Sequence, residues 1–331
     1  MPAIPPSVEP VPHLLVPFAR ASAPECQALL QTLKLPRLEA LLAQMVPETF
    51  AEGSDQDLSL PHERARALAM GIVQADGSPW PDGRIPWAAA LSDAPELPQA
   101  WFSPCHFQVG MDQVSLVPGE QLALDDANSR PLFEALAPFC REDGITLRFE
   151  TPTRWHASGE VLRGIAYASL DRVSGRSVDG WLHDVGSAGA GLALLKRLQS
   201  EAQMLFYTHP VNDARDAARQ ASINGFWVHG AGAAACRARA PTDLRMPDAL
   251  RQAALQADWL AWRSAWEALD ANDMPPLLDA LRQGQPVRLT LCGERSARTW
   301  HSERPGTAGR LGRAFKQWWG KKPAWQSIDP L

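Results

Sequence analysis

The polar residue types best suited to holding a ligand converge between Leu195 and Gly232, in LKRLQSEAQMLFYTHPVNDARDAARQASINGFWVHGAG. A helix that starts at Pro210 places His209, Asn212 and Arg215 three residues apart, and at about 100° per residue all three fall within one sector of about 120°. They can face one ligand. A guanidinium fork near a helix N-terminus, joined by an amide and an imidazole, suits a phosphate or carboxylate, because the donors and the positive end of the helix dipole all favour an anion. That chemistry is binding, not bond breaking. The same spacing also fits a structural arrangement, in which His209 and Asn212 cap helix ends and Arg215 pairs with Asp213 or Asp216. Spacing alone leaves both open. Gly230-Ala231-Gly232 follows a strand-like run, but a GxG without a third glycine and a following acidic residue fails the dinucleotide fingerprint and reads as a strand-end turn.

This stretch resembles the RpfE-type family of bacterial proteins, many of whose members carry the label phosphoglycerate mutase. Similar text recurs at Leu60 to Ala69 (LPHERARALA), Cys105 to Val114 (CHFQVGMDQV), Ala168 to Arg176 (ASLDRVSGR) and Leu198 to Gly232, so the resemblance covers most of the chain. The HPVN...R...N..W..G.G segment is also similar to part of the archaeal-type cofactor-independent phosphoglycerate mutases. It maps onto His209, Asn212, Arg215, Asn224, Trp227, Gly230 and Gly232, which the resemblance implies as ligand-binding residues. The chain departs from the family's pattern at Ser200 and Gly225, and carries His229 before the glycine turn.

The mutase label implies a Ser or Thr nucleophile activated by two metal ions, held by Asp and His ligands on strand ends. No such set assembles from the sequence. Asp179, His183 and Asp184 form the nearest cluster, with His106 and Asp112 elsewhere, and none stands beside an evident nucleophile. No histidine follows an arginine, which closes the phosphohistidine route of the cofactor-dependent mutases. The expectation is therefore a non-catalytic, RpfE-like regulatory or binding protein with a pocket for a small anionic, phosphorylated metabolite. No cofactor is expected. The alternative, a phosphoglycerate mutase-like or phosphatase-like metalloenzyme, requires Mn or Zn.

Two aromatic stretches offer partner surfaces. Leu255, Trp259, Trp262, Trp266 and Leu269 repeat at steps of four and three, which fits either a core-facing helix stripe or a protein-partner face through Trp259, Trp262 and Trp266. A basic segment from Arg310 to Lys322, interleaved with Phe315, Trp318 and Trp319, reads as an amphipathic helix over Leu311 to Trp319. With 32 basic against 37 acidic residues the net charge is −5, so no global field holds a nucleic acid, and such a partner is not expected. No run approaches a membrane-spanning length. Five scattered cysteines without a CxxC pair, and a proline-rich start without basic residues, point to the cytoplasm.

These residues must be positioned by an α/β fold, a mixed sheet with flanking helices in one large domain or two closely packed lobes. Residues 1–12 read as a tail, 13–179 as an N-terminal lobe, and 180–331 as a C-terminal lobe, divided at the glycine-rich stretch Gly180 to Gly191. Strands are expected at His13 to Ala19, in a hairpin from Ala100 to Leu116 turning near Gly110, at Gly144 to Phe149, Arg154 to Ala157 and Gly225 to His229. Two more follow at Val287 to Cys292 and Thr299 to His301. Helices are expected after Pro24, Pro36, Pro61, Pro86 and Pro210, over Asn128 to Arg141, around Leu195 to Leu205, and as one long helix over Pro247 to Leu269.

Overall fold

Proline opens helices where its fixed φ costs nothing, and the computed structural model shows this at α1 (Pro24–Thr32), α2 (Pro36–Leu42) and α3 (Pro61–Ala69). The structure describes residues 11–178, 180–181, 190–239 and 243–302. β1 (His13–Val16) precedes these helices, and β2 (Val46–Ala51) lies between α2 and α3. Next come α4 (Trp87–Ala90), β3 (Gln99–Val109), β4 (Val114–Pro118), α5 (Asp126–Glu142), β5 (Thr146–Thr151), β6 (Arg154–Ser158) and α6 (Leu170–Val173). The remainder holds α7 (Ala190–Tyr207), α8 (Pro210–Ala217), β7 (Gly225–Gly232), β8 (Leu244–Arg245), α9 (Ala249–Leu255), α10 (Trp259–Asn272), α11 (Met274–Arg282), β9 (Arg288–Cys292) and β10 (Ala297–His301). The fold is mixed α/β with two sheets flanked by helices. Among the described residues, no helix is long and apolar enough to cross a membrane.

The chain divides into two compact units, but not at the glycine-rich stretch. The first takes residues up to 56, 61–69 and those from 240 onward; the second takes 57–60 and 70–239. The cause is a pairing that local composition cannot reveal. β1 lies parallel to β9, with His13 opposite Arg288 and Leu15 opposite Thr290, so the start of the chain is built into a sheet completed near its end.

In the first unit the sheet order is β2-β10-β9-β1-β8. Alternation sends Leu14 and Val16 of β1, Leu289 and Leu291 of β9, and Trp300 of β10 into one core with α1, α2, α9, α10 and α11. The tryptophan stripe belongs to this core. Trp262 and Trp266 are buried in this core, and the partly buried Trp259 packs against it. Trp262 Nε1 donates to the Phe18 carbonyl at 2.8 Å and Trp266 Nε1 to the Ala19 carbonyl at 3.2 Å. Two rings one helical turn apart thus fasten the turn that leaves β1, where Phe18 adopts a φ of 49°. The long helix expected over Pro247 to Leu269 is two helices, because Ala257 takes a φ of 53° and the Asp258 carboxylate caps a new start by accepting from the Ala261 amide at 2.9 Å.

In the second unit β3 is the hub, pairing antiparallel with β4, β6 and β7. Its core takes Leu132, Leu136 and Cys140 from α5, Leu195, Leu198 and Ala202 from α7, and the stacked Phe102 and Phe226 rings 4.6 Å apart. The helical spacing read from Leu195 onward faces inward as expected. β2 and α11 carry no sequence expectation: every residue of β2 is exposed, and α11 opens with two prolines after Met274.

Candidate functional site

His209, Asn212 and Arg215 run along α8, from His209 at its N-cap to Arg215 in its last turn, and their hydrogen bonds run to the protein itself. His209 is the N-cap, its Nδ1 accepting from the Val211 amide at 3.2 Å. Asn212 is buried; its Nδ2 donates to the carbonyls of Phe206 and Ile223 at 2.8 Å each, and its Oδ1 accepts from the Ile223 amide at 2.8 Å. Arg215, 2% exposed, donates through Nε to Ala221 O, through Nη2 to Leu122 O, both at 2.8 Å, and through Nη1 to Asn128 Oδ1 at 3.0 Å. Burial holds its pKa below the ordinary arginine value, with the Asp125 carboxylate opposing. Residues 218–224 form no helix or strand, and Asn212 and Arg215 bond the Ile223 and Ala221 carbonyls within them. The result is a joint between α7, α8 and β7.

The remaining residues of that set extend the joint. Asn224 copies a β-ladder pair, with Oδ1 accepting from Phe107 N at 2.7 Å and Nδ2 donating to Phe107 O at 2.9 Å. Trp227 is fully buried and donates to the Ala168 carbonyl at 2.8 Å. Gly230 has a φ of +63°, and a Cβ there would lie 3.0 Å from Trp87 Cβ; Gly232, at +134°, sits against Pro86. Of the metal-ligand candidates, Asp179, His183 and Asp184 lie outside the described residues, as does the basic segment from Arg310 to Lys322. His106 Nδ1 meets the Ser222 carbonyl at 2.9 Å, and Asp112 is exposed in the β3–β4 turn.

A cavity of about 280 Å³ lies instead in the first unit, on the sheet face turned away from the main core. Strand alternation and register build its floor: Thr290 of β9 stands opposite Thr299 of β10, which stands opposite Thr49 of β2. His13 Nε2 and Thr290 Oγ1 are 2.9 Å apart, and so are Thr290 Oγ1 and Thr299 Oγ1. Helix α3 forms the opposite wall with Pro61, Arg64, Ala65, Leu68 and Ala69, one helical stripe. The rim is charged. Arg288 pairs with Glu48 at 3.1 Å, and Arg295 with Asp55 at 3.5 Å. Across from Thr299 and Trp300 the register passes from Thr49 to Pro47 and skips Glu48, which is thereby free to lean toward Arg288. Arg64, Arg288 and Arg295 line the cavity with Glu48 and Glu52, while Asp55 pairs with Arg295 beside it. Such a lining can bind an anion, with guanidinium donors at the mouth and hydroxyls at the base.

His13 at the edge of this floor is pulled from its ordinary 6.5 to about 4, first by burial and then by the Arg288 guanidinium. The folded protein therefore resists protonation that the unfolded chain accepts. Stability is level above about pH 6.5 and falls as the pH drops from there toward about 4, by up to about 1.4 kcal/mol per unit. Urea denaturation of wild type and His13→Gln between about pH 7 and pH 5 should show this slope only in the wild type.

No protein-family model matches the chain, and no curated protein matches it. Among solved structures it is similar to "Cofactor-Independent Phosphoglycerate mutase from Thermoplasma Acidophilum DSM 1728", at 12% identity over 92% of this chain and 94% of that one, with a TM-score of 0.37. It is also similar to the PH0037 protein from Pyrococcus horikoshii, at 12% identity over 88% and 87%, with a TM-score of 0.44.

The wall on α3 lies in the LPHERARALA stretch, but the strand residues of the cavity escaped sequence reasoning because they form no motif. His13, Thr49, Thr290 and Thr299 lie on four strands drawn from both ends of the chain. The available signal was alternation in RLTLC, where Arg288 and Thr290 alternate with Leu289 and Leu291; ARTWH lacks it, because Arg298 directly precedes Thr299.

Proposed function

We propose that this protein binds a small anionic metabolite without transforming it, and that the site is the cavity between the β2-β10-β9-β1 face and α3. One observation carries the reading: three arginines line a cavity whose floor is a hydrogen-bonded row of His13, Thr290 and Thr299. A hydroxyl row next to a half-buried neutral imidazole offers donors without adding negative charge, and guanidiniums supply the attraction. The regulatory role implied by the RpfE-type resemblance would make such a protein a metabolite sensor.

The test is thermal unfolding of the full chain with anions added at constant ionic strength. A ligand present at about a hundred times its Kd stabilises by about 2.7 kcal/mol, which for a unit of this size raises Tm by roughly 5–10 °C. Arg288→Gln should remove most of that rise. If no anion raises Tm above the chloride control, the proposal fails.

The rival reading is a phosphoglycerate mutase-like or phosphatase-like metalloenzyme, which the 2.9 Å approach of His13 to the Thr290 hydroxyl favours as a base and nucleophile. An imidazole held near 4 is a weak base at neutral pH, which argues against it. This reading predicts bound Mn or Zn by elemental analysis and turnover abolished by a chelator.

A further inference from the structure

The guanidiniums of the same cavity are already engaged, which sets a condition on any anion that enters; this step rests on the anion-binding reading above. Arg288 holds Glu48 at 3.1 Å, Arg295 holds Asp55 at 3.5 Å, and Arg64 has an interaction of its own. An anion that merely joined these pairs would bring its charge beside the carboxylates of Glu48 and Asp55. Either a carboxylate leaves or a new cation appears.

Strand register provides for both at one place. His301 on β10 stands opposite Arg288 on β9, so imidazole and guanidinium share one face of the sheet. Glu48, the residue that the register of β2 skips, reaches both: its Oε1 is 3.1 Å from Arg288 Nη2, and its Oε2 is 3.9 Å from His301 Nδ1. The longer approach is outside hydrogen-bond range, so Glu48 is committed to Arg288 and only poised toward His301. His301 Nδ1 is buried and makes no hydrogen bond, a deficit that a proton and a carboxylate would remove together. The other titratable or charged groups on this side are His13 on β1, beyond Arg288, Arg64 on α3, and Glu52 after β2. His13, held at about 4, stays neutral through the range where an ordinary imidazole titrates.

We infer that Glu48 is an exchangeable carboxylate: an incoming anion takes its place on Arg288, Glu48 moves to His301, and His301 takes up a proton from water at Nδ1 to receive it. One anion and one proton are bound together, and the proton brings the positive charge that the paired arginines cannot offer. Both ring nitrogens of His301 are then protonated, and Nδ1 donates to Glu48. The occupied protein holds more protons than the empty one, so affinity rises as the pH falls through the imidazole range and levels off below it.

The experiment is calorimetric titration of the full chain with sulfate, whose own charge is constant over the range used, at about pH 6, 7 and 8 and constant ionic strength. At about pH 7 the titration is repeated in two buffers of different ionisation enthalpy, which reads the protons exchanged. The expected result is net proton uptake on binding, with affinity about tenfold higher at the lowest pH than at the highest. His301→Gln should keep the affinity of the highest pH and lose both the gain and the uptake. Glu48→Gln, with no carboxylate left to displace, should bind more tightly than wild type at the highest pH and gain little below it. The two side chains are 39% and 34% exposed, so neither substitution threatens folding. Sulfate bound to wild type without proton uptake overturns the inference and leaves the anion-binding function standing. A pH dependence that survives in Glu48→Gln and vanishes in His301→Gln overturns it too, because the imidazolium would then attract the anion directly. If sulfate binds at no pH, both fall.

Discussion

Arg215→Met is expected to destabilise the second unit by about 2–4 kcal/mol while leaving anion binding intact. The guanidinium makes three hydrogen bonds from a site only 2% exposed, two of them to the main-chain carbonyls of Ala221 and Leu122. Methionine fills similar volume and donates nothing, so both carbonyls lose their side-chain partner, and for the buried Leu122 carbonyl an unsatisfied polar group costs about 1–3 kcal/mol. Arg215→Lys should recover little, because a lysine ammonium cannot reach Ala221, Leu122 and Asn128 from one fork. Urea denaturation followed by tryptophan fluorescence measures both. A stability within about 0.5 kcal/mol of wild type would show that the joint contributes nothing.

Trp262→Ala should cost the first unit about 3–5 kcal/mol, the range for deleting a large buried aromatic side chain. Its ring is fully buried, edge-on to Trp259 and Trp266, and its Nε1 holds the Phe18 carbonyl. Phe18 has a positive φ, which an L residue adopts only when its surroundings enforce it. Loss of Trp262 therefore opens a cavity and releases the turn after β1 together. Trp262→Phe keeps much of the packing and lacks the donor, so it should fall between wild type and alanine. The difference between the two variants in denaturation midpoint isolates packing from the hydrogen bond. Equal destabilisation by both would mean that the donor, and not the volume, matters.

Local patterning in the sequence reached most helices and the hairpin, because these depend on residues close together in the chain. Pro24, Pro36, Pro61 and Pro210 mark helix starts, and the Leu195 spacing marks the inward face of α7. The split between α9 and α10 was legible only in the small signal of Asp258, an N-cap residue inside an otherwise continuous apolar repeat. Division into units was not legible, since it depends on β1 crossing to β9 and on α3 joining the sheet of the first unit although 57–60 and the residues after 69 belong to the second.

For the site, spacing singled out His209, Asn212 and Arg215, which run from the N-cap of α8 to its last turn. It could not distinguish an anion from a main-chain carbonyl as their acceptor, because both reward the same donors. In the structure the irregular segment 218–224 takes those donors, through the carbonyls of Ile223 and Ala221. The cavity in the first unit was hidden for the opposite reason: its residues are ordinary in local sequence and become a site only through strand register.

The most direct test of the account is the rise in Tm produced by the same anion in wild type, Arg288→Gln and Arg215→Met. The account predicts that Arg288→Gln keeps a near-normal Tm and loses the rise, whereas Arg215→Met starts from a lower Tm and keeps the full rise. A rise that survives Arg288→Gln and vanishes in Arg215→Met would contradict it and return the anion to the start of α8.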